Sequence, residues 1–232
     1  MESQSAPGIS LVVFDMAGTT VEDTGLVQQS FLAADEHAGL SKTDADRAEM
    51  LRYVADTMGQ SKIVVFRHLS RGNEEQAQAA NKEFERCYAQ LVADGKCSPI
   101  PQAEHVITSF RSRGIKVALT TGFARETQQA IVEALGWQDL ADAVLCPAPG
   151  VRGRPYPDMA LAALMQTETD AVQSMVVVGD TSSDVITGLR AGARASVGVL
   201  TGAHNAEQLS AAGATHILDS VADLPGLVAT LG

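Results

Sequence analysis

Short apolar runs rich in β-branched residues alternate along this chain with longer amphipathic stretches. The runs at residues 9–14, 115–119, 143–145, 175–178 and 195–200 each predict a strand. Most are followed by apolar positions at helical spacing, at 125–135, 157–165, 182–189 and 206–211. Strand followed by helix, repeated, is the pattern of a parallel sheet buried on both faces. The expected class is therefore α/β, with a Rossmann-like parallel-sheet core.

The first and second runs are far apart, and no strand pattern lies between them. Residues 26–37, 43–57, 61–69 and 74–92 read as helices. Gly25 near the start of this region, and the 95–101 stretch with its glycine and prolines near the end, punctuate the chain where two connectors would cross between domains. The expected organisation is a core of residues 1–23 and 99–232, with an all-helical cap of residues 24–98 inserted into it.

Composition narrows the function. With 232 residues, 45% of them hydrophobic and 19% charged, the chain has enough apolar material for a sizeable core. The 17 Lys and Arg against 28 Asp and Glu leave a net charge of -11, the wrong sign for nucleic acid or an anionic membrane surface. Three cysteines without paired spacing predict reduced packing residues, not a disulfide framework or a zinc site. Residues 1–8 are polar and acidic, and no apolar run reaches membrane-spanning length, so the expectation is a soluble, cytoplasmic protein. Only five of the cations are lysines, which makes any lysine in an apolar setting conspicuous.

Ligands of open parallel sheets bind beyond the carboxyl ends of the strands, so the residues after each strand deserve a chemical reading. They are Asp15-Met-Ala-Gly-Thr-Thr20, then Thr120-Thr121-Gly122, then a loop with Arg152 and Arg154, then Gly179-Asp180-Thr-Ser-Ser-Asp184. Asp15 and Asp180 would face one crevice, where two carboxylates repel unless a cation lies between them. Mg²⁺ is the expected ion, because it takes carboxylates, a backbone carbonyl and a phosphoryl oxygen. Thr121 and the amides around Gly122 would donate to the remaining phosphoryl oxygens, Arg154 would neutralise them, and Asp15 would be free to attack phosphorus. Asp184 fits metal support and helix capping equally well.

Those motifs resemble the haloacid dehalogenase superfamily over nearly the whole chain. In that superfamily the first Asp forms a covalent aspartyl intermediate, and a second Asp two residues later commonly protonates an oxygen leaving group; here that position is Ala17. The Asp-x-Ala-Gly-Thr-Thr form, an Arg at 154 in place of the usual Lys, Gly153-Arg-Pro-Tyr-Pro157 and Met58-Gly-Gln-Ser-Lys62 resemble the phosphonoacetaldehyde hydrolases, or phosphonatases. The resemblance implies catalytic roles for Asp15, Lys62 and Arg154. It implies substrate contacts at Gly18, Thr19, Thr121, Gly122 and Met58, metal contacts at Asp15, Ala17, Asp180 and Asp184, and a homodimer joined through the cap. Lys62 would form a Schiff base that accepts the electrons left when phosphorus departs from carbon.

A helix starting near Ser61 would put Lys62 in its first turn with Val65 and Phe66 as apolar neighbours, both of which would lower its pKa. Position alone favours a snorkelling surface lysine, and Ala17 together with the Met58-Gly59 spacing turns the balance towards the Schiff-base role. Phosphonatases commonly place a histidine three residues after the lysine and a tyrosine after the Thr-Gly pair; here these are Val65 and Phe123. His68 lies six residues on, about 240° around a helix, and would face away from Lys62. His37, His105, His204 and His216 lack ligand spacing, and Tyr53 and Trp137 read as packing residues. Two alternatives stay open: a phosphate monoesterase or phosphotransferase of the same fold, and a binding protein that holds an anion without turnover. No P-loop, nucleophile elbow, zinc-protease helix or dinucleotide fingerprint occurs.

Overall fold

The computed structural model describes residues 8–231, so residues 1–7 of the expected core, and the acidic N-terminal stretch with them, lie outside the described part. The elements run β1 (Leu11–Asp15), α1 (Leu26–Ala38), α2 (Asp44–Asp56), α3 (Lys62–Leu69), α4 (Glu74–Ala93), α5 (Ala103–Ser112), β2 (Lys116–Thr120), α6 (Arg125–Ala134) and β3 (Ala143–Leu145). They continue with α7 (Asp158–Gln166), β4 (Met175–Gly179), α8 (Ser182–Ala191), β5 (Ala195–Val199), α9 (Ala206–Ala211), β6 (His216–Leu218) and α10 (Leu224–Thr230). The strands form one parallel sheet in the order β3-β2-β1-β4-β5-β6, and the helices α1 to α4 are inserted after β1. The α/β class, the Rossmann-like sheet and the helical insert are as the sequence predicts.

Alternation along the strands explains the layers. Val12 and Phe14 of β1 enter one apolar cluster, whereas Leu11 and Val13 enter another on the opposite face. Side chains such as Phe14, buried completely, stabilise by about 1.5–3 kcal/mol each relative to exposure. The first cluster continues into the insert through Val27, Phe31, Phe84 and Tyr88, so apolar packing runs unbroken from the sheet to α1 and α4. Phe31 and Phe84, one on each helix, pack with ring centroids 4.8 Å apart and planes tilted by 56°.

Three elements escape the sequence pattern. The strand β6 is a three-residue edge strand with all its residues half-buried, too short to show an alternation. α5 follows the Pro99 and Pro101 punctuation and packs Phe110 against Phe14, with ring centroids 6.4 Å apart. The proline signals mask its start, which has Gln102 in a left-handed conformation instead of a side-chain cap. α10 is a short terminal helix with Pro225 in its first turn.

Candidate active site

The sheet order turns around at β1, which pairs with β2 on one side and β4 on the other. Crossovers leave in opposite directions there, and a crevice opens beyond the strand ends. A cavity of about 240 Å³ occupies it, lined from the core by Asp15, Gly18, Thr121, Gly122, Arg154 and Asp180 and from the insert by Met58, Gly59 and Lys62.

On the core side the charges are dense and buried. One carboxylate oxygen from each of Asp15, Asp180 and Asp184 lies within 4.8 Å of the others. Arg154 reaches in from the loop after β3: Nη1 sits 2.6 Å from Asp15 Oδ1, Nε sits 2.8 Å from Asp184 Oδ1, and Nη2 donates to Thr120 Oγ1. Burial drives the Asp15 carboxyl well above its usual range; Arg154 opposes this, while the charges of Asp184 and Asp180 add to it. The Asp180 carboxyl is pushed up to about 6 by burial and by the charge of Asp184. Three carboxylates against one guanidinium leave an excess of buried negative charge, which a hard divalent cation would offset. Ala17 lines the same cavity, and its carbonyl accepts no hydrogen bond among the described residues. The donor set is all oxygen and suits such an ion.

Asp184 caps a helix and also holds Arg154. It closes a capping box with Thr181 at the start of α8, accepting from the Thr181 amide at 3.1 Å, and its other oxygen holds Arg154. Gly18 has φ 89°, and a Cβ there would come within 2.5 Å of Asp180 Oδ2. Thr19 does not line the cavity: it is fully buried, and its hydroxyl donates to Asp180 Oδ1 at 3.1 Å, so it steadies a carboxylate. Arg154, expected to face phosphoryl oxygens, directs its three guanidinium nitrogens to protein oxygens of Asp15, Asp184 and Thr120.

The insert side is built from aromatic rings. Lys62 is buried at the first turn of α3, and its backbone amide donates to the Gly122 carbonyl at 3.3 Å. A Cβ on Gly122 would lie 2.5 Å from the Gln60 carbonyl, so only glycine lets the insert approach this closely. The aromatic faces nearest the Lys62 amine belong not to its own helix, as Val65 and Phe66 would, but to three other segments. Nζ lies 5.1 Å from the ring centre of Phe123, 5.8 Å from Phe84 and 5.9 Å from Phe31. Among the described residues it has no salt bridge. Burial lowers its pKa; the charges of Glu85, Asp23 and Asp15 work against this, and Arg154 adds to it. The surface-lysine alternative is therefore out.

His68 is exposed on the far side of α3 and stacks on Tyr53 with centroids 4.0 Å apart, away from Lys62 as the helix rotation predicts. Trp137 is buried, with its indole N–H donating to Glu104 at 2.6 Å. His204 is buried between core and insert: its Nδ1 accepts from the Ser182 amide at 2.9 Å and its Nε2 donates to the Ala55 carbonyl at 3.1 Å.

The sequence reading passed over two contributors. One is the loop after β5, where the Ala203 amide donates to Asp180 Oδ2 at 2.7 Å and the Thr201 hydroxyl donates to the Gly18 carbonyl at 2.7 Å. The strand-end rule, extended to one more strand, points straight at it. The other is Asp23, which enters the cavity from the connector into α1; only its sequence proximity to Asp15 hinted at this.

A family model for haloacid dehalogenase-like hydrolases matches residues 9–192. Phosphonoacetaldehyde hydrolase from Bacillus cereus is 33% identical over 211 residues, spanning 84% of this chain and 76% of the relative. Among solved structures, a phosphonoacetaldehyde hydrolase like protein from Oleispira antarctica superposes with a TM-score of 0.82 at 25% identity, covering 97% of this chain and 93% of that one. A putative phosphoglycolate phosphatase from Lactobacillus delbrueckii subsp. bulgaricus, at 20% identity and TM-score 0.77 over 96% of this chain and 99% of that one, shares the fold. The chain belongs to the haloacid dehalogenase-like hydrolases, in the branch that contains the phosphonoacetaldehyde hydrolases.

Proposed function

We propose that the protein is a Mg²⁺-dependent phosphonatase that cleaves the carbon–phosphorus bond of phosphonoacetaldehyde or a related 2-oxoalkyl phosphonate. The observation that carries this reading is the buried Lys62 amine, without an ion-pair partner, facing the same cavity as the buried Asp15 carboxylate. A phosphate monoesterase has no use for such an amine. It needs an acid two residues after the nucleophile, where this chain has Ala17.

Lys62 attacks the carbonyl carbon and, with loss of water, forms an iminium. Asp15 then attacks phosphorus; an oxygen–phosphorus bond forms, the carbon–phosphorus bond breaks, and its electron pair moves into an enamine neutralised by the iminium nitrogen. Protonation at carbon and hydrolysis free Lys62 and the carbonyl product, and water releases phosphate from Asp15. Asp15, the Ala17 carbonyl, Asp180 and Asp184 would hold the magnesium ion, which supplies positive charge to the phosphoryl oxygens. Thr121 and the Gly122 amide orient those oxygens, Gly18 leaves room for the Asp180 carboxylate, and Met58 lines the cavity from the insert. Arg154 holds Asp15 in place, and its ion pair favours the ionised form against burial.

The same reading divides the chain into a core of 1–23 and 99–232 and a cap of 24–98. The two connectors support it by running side by side: the Glu22 amide donates to the Ser98 carbonyl at 2.9 Å. A cytoplasmic homodimer joined through the cap belongs to it as well; light scattering tests the dimer. No helix among the described residues is long and apolar enough to cross a membrane.

The deciding experiment compares phosphate release from aldehyde phosphonates and from phosphate esters, in the parent and in Lys62→Ala, with borohydride trapping. The expected result is an adduct on Lys62 and a loss of at least about a thousandfold in phosphonate turnover in Lys62→Ala. Undiminished turnover without an adduct would remove the imine step.

A further inference from the structure

Imine formation needs a group that takes a proton from the lysine and later returns one to the departing oxygen. The position three residues after Lys62, where a side chain on the same helix face would reach back towards it, is Val65, buried and without a proton to offer. His68 is on the opposite face, stacked on Tyr53. Other ionisable groups close to the amine are shut off from the cavity. Glu85 accepts from the Ala124 amide at 3.2 Å and does not line the cavity. Tyr88 has a buried hydroxyl without a partner and does not line it either; burial holds its phenol neutral.

One carboxylate remains. Among the described residues, Asp23 is the only carboxylate lining the cavity besides Asp15 and Asp180. It is half-buried in the connector between β1 and α1, next to Glu22, whose own carboxylate accepts from the Ser98 hydroxyl at 2.8 Å. Asp23 Oδ1 accepts from the Val27 amide at 3.2 Å, which fixes the side chain at the start of α1, and Oδ2 takes no hydrogen bond among the described residues. α1 also carries Phe31, one of the three rings around Lys62, so the helix that shapes the lysine pocket begins at the Asp23 carboxylate.

We propose that Asp23 is the proton carrier for imine chemistry at Lys62, in the place that a side chain three residues after the lysine would otherwise fill. This rests on the phosphonatase reading. The proton balance closes on the two groups. Asp23 takes a proton from the Lys62 ammonium, and the free amine forms a carbon–nitrogen bond while the carbonyl π bond breaks. The carboxylic acid gives its proton to the new alkoxide and takes one from nitrogen. It then protonates the hydroxyl, which leaves as water as the nitrogen lone pair closes the iminium. Two of the three ammonium protons end on water, one stays on nitrogen, and Asp23 is a carboxylate again.

The experiment measures the rate of the borohydride-trapped adduct on Lys62 with phosphonoacetaldehyde, in the parent, Asp23→Asn and Asp23→Glu, across pH. Asn keeps an oxygen for the Val27 amide, so the start of α1 is retained, and thermal unfolding of each variant checks this. The charges facing Lys62 are Asp23 from the connector, Glu85 from α4, Asp15 from β1 and Arg154 from the loop after β3; only the first is altered. The expected result is an adduct rate at least about a hundredfold lower in Asp23→Asn, recovery to within about tenfold in Asp23→Glu, and a flattened pH profile in the Asn variant. A parental rate in Asp23→Asn overturns the proposal, as do equal losses in both variants with a lowered unfolding midpoint, which would make Asp23 a helix cap. Loss of phosphate-ester turnover in Asp23→Asn, with no adduct in the parent, would instead make it the acid of a monoesterase and overturn the phosphonatase reading too. A parental adduct with an unaffected Asn variant leaves that reading standing and removes this one alone.

Discussion

The two walls of the cavity solve opposite problems. The core wall crowds three carboxylates and a guanidinium into a buried cluster, with Arg154 paired to Asp15 and Asp184 and oxygens of all three carboxylates within 4.8 Å of one another. The insert wall surrounds one amine with three aromatic rings and, among the described residues, gives it no ion-pair partner. At Asp15 the charge of Arg154 favours the ionised form against burial, and at Lys62 burial favours the neutral amine against the charges of Glu85, Asp23 and Asp15. The attraction of the rings for an ammonium, of order 0.5–2 kcal/mol each, limits how far burial can drive that neutralisation.

If the walls work independently, removing the nucleophile of one should leave the chemistry of the other. Asp15→Asn is expected to lower phosphate release by about ten-thousandfold or more, while Lys62 is still trapped by borohydride with a phosphonate aldehyde. Mass spectrometry of the reduced protein reads both at once. Loss of the adduct in Asp15→Asn would mean that the walls are coupled.

Phe84→Ala attacks the insert wall. The ring is fully buried and packs against Phe31, so truncation should cost about 3–5 kcal/mol of stability, measured by denaturant unfolding. The cavity it leaves admits water to Lys62. Because burial is the largest cause of the lowered lysine pKa, hydration raises it, and the acid limb of the imine rate should move to higher pH.

The same contrast decides what was legible in the sequence. Asp15, Arg154, Asp180 and Asp184 follow strands, and a strand end in a parallel sheet has one possible destination, so local pattern is enough to gather them. Thr19 is harder to read from that motif, because its hydroxyl serves a phosphate or a neighbouring carboxylate equally well. Only the packing of Asp180 chooses. The rings around Lys62 come from α1, α4 and the turn after β2, segments brought together by the tertiary fold of the insert. Helical periodicity marks Phe31 and Phe84 as buried but says nothing about what they are buried against. Asp23 was missed for a related reason: a connector carboxylate looks like a solvated turn residue until α1 is seen to lie over the cavity.

Magnesium should act on the core wall alone. Between about pH 4 and 6 the folded, metal-free chain holds a proton on Asp180, whose carboxyl sits at about 6, that the unfolded chain has released near its ordinary value of 3.8. Stability therefore falls as pH rises through that window, and the metal, which binds the ionised carboxylate, restores it. At a hundredfold excess over its dissociation constant the ion is expected to add about 2.7 kcal/mol. Scanning calorimetry should show a larger gain at pH 7.5 than at pH 5. Equal gains at both would place the metal elsewhere.

Glu85→Gln is the smallest change and the finest test of the insert wall. Glu85 lies behind the rings on α4, with Oε1 accepting from the Ala124 amide and Oε2 buried without a partner, so an amide keeps the one hydrogen bond and removes little else. Its charge is the largest of those that raise the Lys62 pKa against burial. Neutralising it should therefore lower that pKa further and move the acid limb of the adduct rate to lower pH, the opposite direction to Phe84→Ala. Burial also raises the carboxyl pKa of Glu85 itself, so the displacement should grow with pH as Glu85 ionises in the parent. Opposite shifts from two residues on one helix would show that water and charge reach the lysine separately. A shift in the same direction would mean that Glu85 acts by packing alone.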